Sequence, residues 1–295
     1  MMKGQIMTDN TILVTGASGK LGRETLDILL ASGKTANQII ATTRTVEKLA
    51  DYAKKGVVVR EADFNDPATL DDAFAGAARI AIISTDAIDP GSDRVAQHAA
   101  AVEAAKKAGA EHLVYTSLPD PEHSKISFAP DHLGSEKAVI ASGLAYTILR
   151  NSWYQENLLM SLPHAFSQGV WASAAGNGKQ SFIGHEDCAR AIAAALLSDS
   201  DENSIVTLND GESRTIEDIA ALASEITGKP LKVDHISSES LREGLAAAGL
   251  PPFVVDLSVS ADENTRAGGF DIVNDDFERL TGRKPRSLRA FFEEN

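Results

Sequence analysis

Thr11-Ile12-Leu13-Val14-Thr15-Gly16-Ala17-Ser18-Gly19-Lys20-Leu21-Gly22-Arg23-Glu24 is the stretch on which the reading of the fold turns. Its first five residues are aliphatic or β-branched without interruption, as in a strand buried on both faces. Three glycines follow at a G-x-x-G-x-x-G spacing, and Leu26, Leu29 and Leu30 then recur at helical spacing. Gly16 permits a sharp exit from the strand, Gly19 lets backbone approach a pyrophosphate, and Gly22 lets helix pack on strand. The turn formed by Gly16, Ala17, Ser18, Gly19, Lys20, Leu21 and Gly22 is therefore the candidate phosphate seat, with the N–H groups of a helix N-terminus facing the negative charge. Glycines alone also serve ordinary turns. A strand before them and a helix after them, at the head of a βαβ series, is the context that selects a dinucleotide.

Working outward, residues up to 150 alternate short apolar runs with helical stretches, the pattern of a parallel sheet with crossover helices. The expected strands are 11–15, 38–44, 57–61, 79–84, 112–117 and 145–150; the helices between them are 21–32, 46–55, 66–74 and 92–108. Asp66-Pro67 reads as an N-cap followed by proline at the first helical position. Beyond Asn151 the rhythm loosens. A helix over 153–166 is expected, then a turn at Gly176-Asn177-Gly178 and an Ala-rich helix over 185–197 capped by Glu186-Asp187. A strand (205–208), a helix (215–227), a strand (231–236), helices over 238–248 and 251–266, and a terminal helix pair broken at Lys284-Pro285 complete the chain. The fold class is thus α/β, a Rossmann-like doubly wound parallel sheet with a smaller C-terminal α/β lobe. Residues 10–155 with 176–200 are expected to form the dinucleotide-binding domain. Residues 156–175 with 201–295 are expected to form a substrate-binding lobe over the sheet's C-terminal edge, where open α/β sheets bind ligands.

Composition narrows the partners. The chain has 295 residues and a formal charge of −14, which repels nucleic-acid backbones and anionic lipid, so neither nucleic acid nor membrane is expected. The single cysteine, Cys188, excludes an internal disulfide and reads as a buried, inert thiol in a helix. The first residues, MMKGQIMTDN, lack an apolar signal region, which points to the cytoplasm. The histidines show no metal-ligand spacing. A homodimer is compatible with the sequence, although no single helix reads as a dimer seam.

The cofactor can be narrowed further. NAD-preferring sites carry an acid about 20 residues past the glycines to bond the ribose 2′-OH. Here the second strand ends Ala41-Thr42-Thr43-Arg44, with no acid until Glu47. A planar guanidinium at Arg44 can instead bond a 2′-phosphate and stack on adenine, which favours NADP(H); the alternative is a solvated arginine at a strand end. Asp63-Phe64, after the third strand, is placed to meet the adenine, unless Asp63 merely caps its own loop.

These residues, together with Tyr115-Thr116-Ser117 and the run Tyr146-Thr147-Ile148-Leu149-Arg150-Asn151-Ser152-Trp153-Tyr154-Gln155-Glu156-Asn157, resemble the NmrA-like, atypical branch of the short-chain dehydrogenase/reductase superfamily, and within it the members that reduce quinones and dyes. The resemblance spans nearly the whole chain. It implies NADPH held between a Rossmann-like domain and a small lobe, with Ser84 and Thr85 along its ribose and phosphates. It also places Asn151, Trp153, Tyr154 and Asn157 at the nicotinamide end.

Ordinary members of that superfamily use a Tyr-x-x-x-Lys pair. Counting back from Lys137, the tyrosine position holds Leu133, so the alcohol–ketone machinery is missing. Lys137 remains to bond the nicotinamide ribose. Ser117 is a candidate for a substrate carbonyl. His132, a proton-donor candidate, is one residue from the vacant position and turned from it by about 100° on a helix. A quinone or dye needs a hydride and no strong positioned acid. The expected activity is accordingly an NADPH-dependent reduction of a quinone or similar aromatic acceptor, with Trp153, Tyr154 and Phe182 as walls. The competing reading is a non-catalytic NADP(H)-binding redox sensor that acts through a protein partner.

Overall fold

The computed structural model describes residues 11–87 and 92–295. The first half runs β1 (Ile12–Val14), α1 (Lys20–Ala31), β2 (Ile39–Thr43), α2 (Ala50–Lys54), β3 (Val58–Glu61), α3 (Ala68–Phe74), β4 (Arg79–Ile82), α4 (Arg94–Lys107), β5 (His112–Ser117), α5 (Ala129–Ala141) and β6 (Ala145–Asn151). The second half runs β7 (Trp153–Tyr154), α6 (Leu158–Gln168), β8 (Val170–Ser173), β9 (Phe182–Ile183), α7 (His185–Leu197), β10 (Ser204–Leu208), α8 (Ile216–Thr227), β11 (Lys232–His235), α9 (Ser238–Ala247), α10 (Pro252–Arg266), α11 (Asp276–Thr281) and α12 (Leu288–Glu294).

Seven parallel strands form one sheet in the order β3-β2-β1-β4-β5-β6-β10. The chain leaves β1 in one direction for β2 and β3 and returns on its other side at β4. The crevice between β1 and β4 is therefore the topological switch point. Alternation along each strand loads both faces. Ile12 and Val14 join Leu26 and Leu29 of α1 and Ile192 and Leu196 of α7 on one side. Leu13 joins Leu70, Phe74, Ala101, Ala105, Leu113 and Val139 on the other. Each such fully buried aliphatic side chain stabilises the fold by about 1.5–3 kcal/mol relative to exposure.

A second core gathers Leu158 and Leu162 of α6, Phe182, Ile216 and Ile219 of α8, and Leu288 and Phe291 of α12. A smaller cluster of Leu118, Ile126, Ala129 and Phe270 bridges the sheet's C-terminal edge to α10. The loop after β5 is pinned there. Asn264 Oδ1 accepts from the N–H of Lys125 (2.9 Å) and Ser260 Oγ from that of Ser127 (3.2 Å). Among the described residues no helix is long and apolar enough to cross a membrane.

Several local expectations are corrected. Residues 153–154 are not helical: Trp153 and Tyr154 pair in parallel with Phe182 and Ile183, which requires extended backbone, a 3-10 turn follows over Gln155–Asn157, and α6 starts only at Leu158. Residues 204–208, assigned from sequence to the smaller lobe, form the seventh strand of the main sheet beside β6. Glu186 and Asp187 do not cap α7. Gly184 is its N-cap, the His185 N–H donates to Glu156, and Asp187 accepts from the Arg286 N–H at 2.7 Å. The stretch 46–55 divides into a 3-10 turn and the short α2. Cys188 is fully buried in α7, where burial pushes its thiol well up.

Candidate functional site

The glycine turn closes β1 at the switch point. Gly16 has φ +59°, a region open to glycine. Its carbonyl accepts the Gly19 N–H at 3.0 Å. The Thr15 N–H donates to Ala81 O of β4 and the Ala17 N–H to Thr42 O of β2, so the turn is anchored to both neighbouring strands. A Cβ on Gly22 would lie 2.5 Å from Gly16 O and 2.6 Å from Ala17 Cα, which is why helix and turn can approach this closely. Gly19 is the N-cap of α1 and brings no side chain to its first amides. Those amides have no intrahelical acceptors, and with the helix dipole they form a concave surface complementary to a pyrophosphate.

Around that turn, Ala17 is buried and Leu21 packs into the first core, while Ser18 Oγ accepts from Thr43 Oγ1 at 2.9 Å. Lys20 stays exposed. Arg44 follows β2 directly, is exposed, and forms no hydrogen bond or ion pair among the described residues. Asp63 organises its own loop: its Oδ1 accepts the Asn65 N–H at 2.9 Å, and Phe64 packs against the second core. Ser84 and Thr85 leave β4 half-buried beside the glycine turn.

The run after β6 supplies polar and aromatic groups together. Asn151 is 5% exposed; its Nδ2 donates to Tyr154 Oη at 3.1 Å, and its Oδ1 has no partner among the described residues. Tyr154 meets the His185 ring edge-on at 4.5 Å, and burial raises its phenol pKa. Trp153 is half-buried against Phe270, with ring centroids 5.5 Å apart, where the two smaller clusters meet. Asn157 is half-buried just before α6. Phe182 departs from expectation. It is fully buried in the core with Ile216 and Phe291, so it supports the wall from behind and exposes no surface to a ligand.

The three catalytic candidates are engaged differently. The Ser117 hydroxyl donates its only hydrogen to Glu136 Oε1 at 2.6 Å and so has none to offer a substrate carbonyl. Glu136 is itself buried and bound by Arg150 through Nε (2.9 Å) and Nη2 (2.7 Å). Lys137, one residue on, is exposed and makes no hydrogen bond or ion pair among the described residues. His132 is 5% exposed with both ring nitrogens engaged, Nδ1 with Tyr115 Oη (3.0 Å) and Nε2 with Arg94 Nη2 (3.4 Å). Burial and the Arg94 charge lower its pKa well below the ordinary value, so it is a poor acid.

Sequence reading missed the strap that fixes this run. Gln155 Nε2 donates to Arg286 O (3.0 Å), and Glu156 accepts from Arg286 Nη2 (3.3 Å) and from the His185 N–H (3.1 Å). Gln155 and Glu156 were visible as polar residues in an aromatic run. Their partner lies 131 and 130 positions away, at a distance local patterns do not register.

The sequence profile described as the NmrA-like family matches residues 8–274. Quinone oxidoreductase 2 of Escherichia coli is 32% identical over 277 residues, covering 94% of this chain and 96% of that protein. The crystal structure of that NADPH-dependent quinone oxidoreductase with NADPH superposes with a TM-score of 0.91, at 31% identity and 96% and 99% coverage of the two chains. A triphenylmethane reductase from Citrobacter sp., solved with NADP(H), gives a TM-score of 0.87 at 31% identity, covering 96% of this chain and 99% of that one. An NAD(P)H azoreductase from Xenophilus azovorans is 27% identical over 292 residues, covering 95% and 96%.

Proposed function

This chain belongs to the NmrA-like family, and from that premise we propose that it is an NADPH-dependent reductase whose acceptors are quinones or similarly extended aromatic compounds. It is an NAD(P)H-dependent oxidoreductase of α/β fold, and relatives at about this distance are solved with NADPH or NADP(H). The observation that carries the cofactor assignment is the close approach of α1 to the turn at Gly22, which leaves the uncapped first-turn amides facing the switch point. The guanidinium of Arg44 at the end of β2, without a partner among the described residues, would take a 2′-phosphate, and Asn151 Oδ1, likewise without a partner among them, would accept from a carboxamide NH₂.

When bound, reduced nicotinamide supplies a hydride. The chain's part is to orient the two reactants and exclude water. Asn151 and Tyr154, locked to each other and backed by His185, hold one wall, and Trp153 on Phe270 holds another. Neither Ser117 nor His132 is free to supply an acid, since Ser117 donates to Glu136 and His132 is neutral and engaged, and Leu133 stands at the tyrosine position. A quinone suits such a site, because one hydride converts it to a hydroquinone anion that takes its proton from water. A simple ketone, whose alkoxide is far more basic, does not.

The test is NADPH consumption, followed at the nicotinamide absorbance band, with a benzoquinone and with a simple ketone. Acceleration with the quinone and none with the ketone supports the reading. Equal rates with both would overturn the acceptor assignment, and tight NADPH binding with no turnover on any quinone or dye would favour a sensor.

A further inference from the structure

Three consecutive backbone N–H groups at the exit of β4 are each held by a side chain from a different element. Ile83 N–H donates to Thr15 Oγ1 at 3.0 Å, Ser84 N–H to Thr116 Oγ1 at 2.8 Å, and Thr85 N–H to His98 Nε2 at 3.0 Å. The Thr85 hydroxyl donates to Gln97 Oε1 at 2.9 Å, and Gln97 Nε2 donates to Asn65 Oδ1 at 2.8 Å, tying in the loop after β3. This segment faces the glycine turn across the switch point. A Cβ on Gly16 would be 3.8 Å from Ile83 Cβ.

The hydrogens around His98 can be assigned by elimination. A backbone N–H only donates, so His98 Nε2 accepts and its Nδ1 carries the proton, which goes to Ser135 Oγ at 2.7 Å. Ser135 donates in turn to Asp131 O at 2.7 Å. Arg94 likewise only donates, so His132 Nε2 accepts and its Nδ1–H points at Tyr115 Oη. His98, with no exposed surface, is therefore one neutral tautomer fixed from α5 on one side and gripping the β4 exit on the other. Burial and Arg94 push its pKa down to about 3, which keeps the accepting lone pair available at working pH.

We propose that His98 is the positioning residue of the cofactor cleft, fixing Thr85 so that the β4 exit and the glycine turn form one preorganised edge for NADPH. The proposal rests on the NADPH-dependent reading above. It also defines what the edge recognises. With its three amides occupied, the segment meets a ligand through carbonyl oxygens and through Ser84, whose hydroxyl accepts from Thr116 Oγ1 at 3.2 Å and keeps its own hydrogen. Such a surface suits ribose hydroxyls, which can donate, whereas phosphate oxygens, which only accept, belong on the α1 amides.

The experiment compares NADPH binding and kinetics in the wild type, His98→Leu and His98→Gln. A glutamine can accept at Oε1 and donate at Nε2, so it can replace both contacts; leucine can replace neither. His98→Leu is expected to raise the Kd and KM for NADPH about tenfold, the effect of one lost and unreplaced buried hydrogen bond. The KM for the quinone should stay within about twofold, and His98→Gln should recover NADPH affinity to within about threefold. Wild-type NADPH affinity in folded His98→Leu, or a Gln variant as weak as Leu, overturns the proposal. Should His98→Leu fail to fold, ¹⁵N NMR of the cofactor-free wild type decides. A proton on Nδ1 with a slowly exchanging Thr85 amide supports the assignment; a proton on Nε2 or an unprotected amide overturns it. A wild type that does not bind NADPH strikes at the functional reading instead, and the NMR result is independent of that failure.

Discussion

Substituting Gly22 by alanine probes the feature on which the cofactor assignment depends. The added Cβ would lie 2.5 Å from Gly16 O, 2.6 Å from Ala17 Cα and 3.0 Å from the Ala17 carbonyl carbon, all backbone atoms that cannot rotate aside. Ordinary carbon contacts sit at about 3.5–4.0 Å, so α1 must retreat from the turn by about 1 Å. Overpacking of this kind costs about 1–3 kcal/mol. The gain from replacing glycine inside a helix offsets about 1 kcal/mol of that. The net loss is about 0–2 kcal/mol, equivalent to a fall of at most about 3 °C in Tm. Because the displaced part of α1 carries the first-turn amides, the NADPH Kd should rise at least about tenfold. Gly33→Ala is the control. Gly33 has φ +88° and no neighbour within 4 Å of an added Cβ, so alanine there should lower Tm through backbone strain and leave NADPH affinity intact. Differential scanning fluorimetry and nicotinamide fluorescence titration measure both quantities. A Gly22→Ala protein with wild-type Tm and Kd would refute the reasoning, as would a Gly33→Ala protein with equally weakened binding.

Arg44→Ala should raise the Kd for NADPH about tenfold or more while changing that for NADH by less than about threefold; equal losses in a parallel titration would remove Arg44 from the 2′-phosphate. Glu136→Gln leaves the half-buried Arg150 without its carboxylate and should destabilise the fold by about 3–5 kcal/mol in urea denaturation, and a loss below about 1 kcal/mol would contradict a structural role for the pair. Histidine NMR should show His123, raised by its bond to Asp120, titrating above its ordinary midpoint, while His98 and His112, held near about 3 and about 4 by burial, stay neutral at pH 5. Both folded values lie below the unfolded value of about 6.5, so each buried histidine's stabilising contribution is complete above that pH and is lost as pH falls toward the folded pKa. Protonation of His98 at pH 6 would count against its bond to Thr85.

What could be read from sequence follows the range of the forces involved. The six strands of the first half were legible because β1, β2, β4 and β5 are buried on both faces and hence continuously apolar. The glycine turn was legible because Gly16 and Gly22 answer local steric needs within seven residues. Trp153-Tyr154 was misread as helix because a two-residue pairing with Phe182-Ile183 outweighs local propensity and leaves no period to detect. The same distance effect hid β10 as a member of the main sheet. Phe182 looked like a wall because aromatics serve both cores and clefts, and only packing against Ile216 and Phe291 separates the two. Among the polar residues, the superfamily resemblance nominated Ser117 and Lys137, and the place beside the vacant tyrosine position nominated His132. Neither could show that Glu136, between them in the chain, would turn inward to take the Ser117 hydrogen and the Arg150 guanidinium. His98 carried no motif, since its importance comes from Thr85 and Ser135 on two other segments.

The central claim is that this chain holds NADPH and delivers its hydride to a quinone without a side-chain acid. A single-turnover measurement tests it most directly: the preformed complex with NADPH is mixed with excess benzoquinone, and the nicotinamide band is followed against free NADPH at the same concentrations. The account predicts loss of absorbance in the complex far faster than in free solution, at a rate that varies little between pH 6 and 8. Bound NADPH that is oxidised no faster than free NADPH would contradict it.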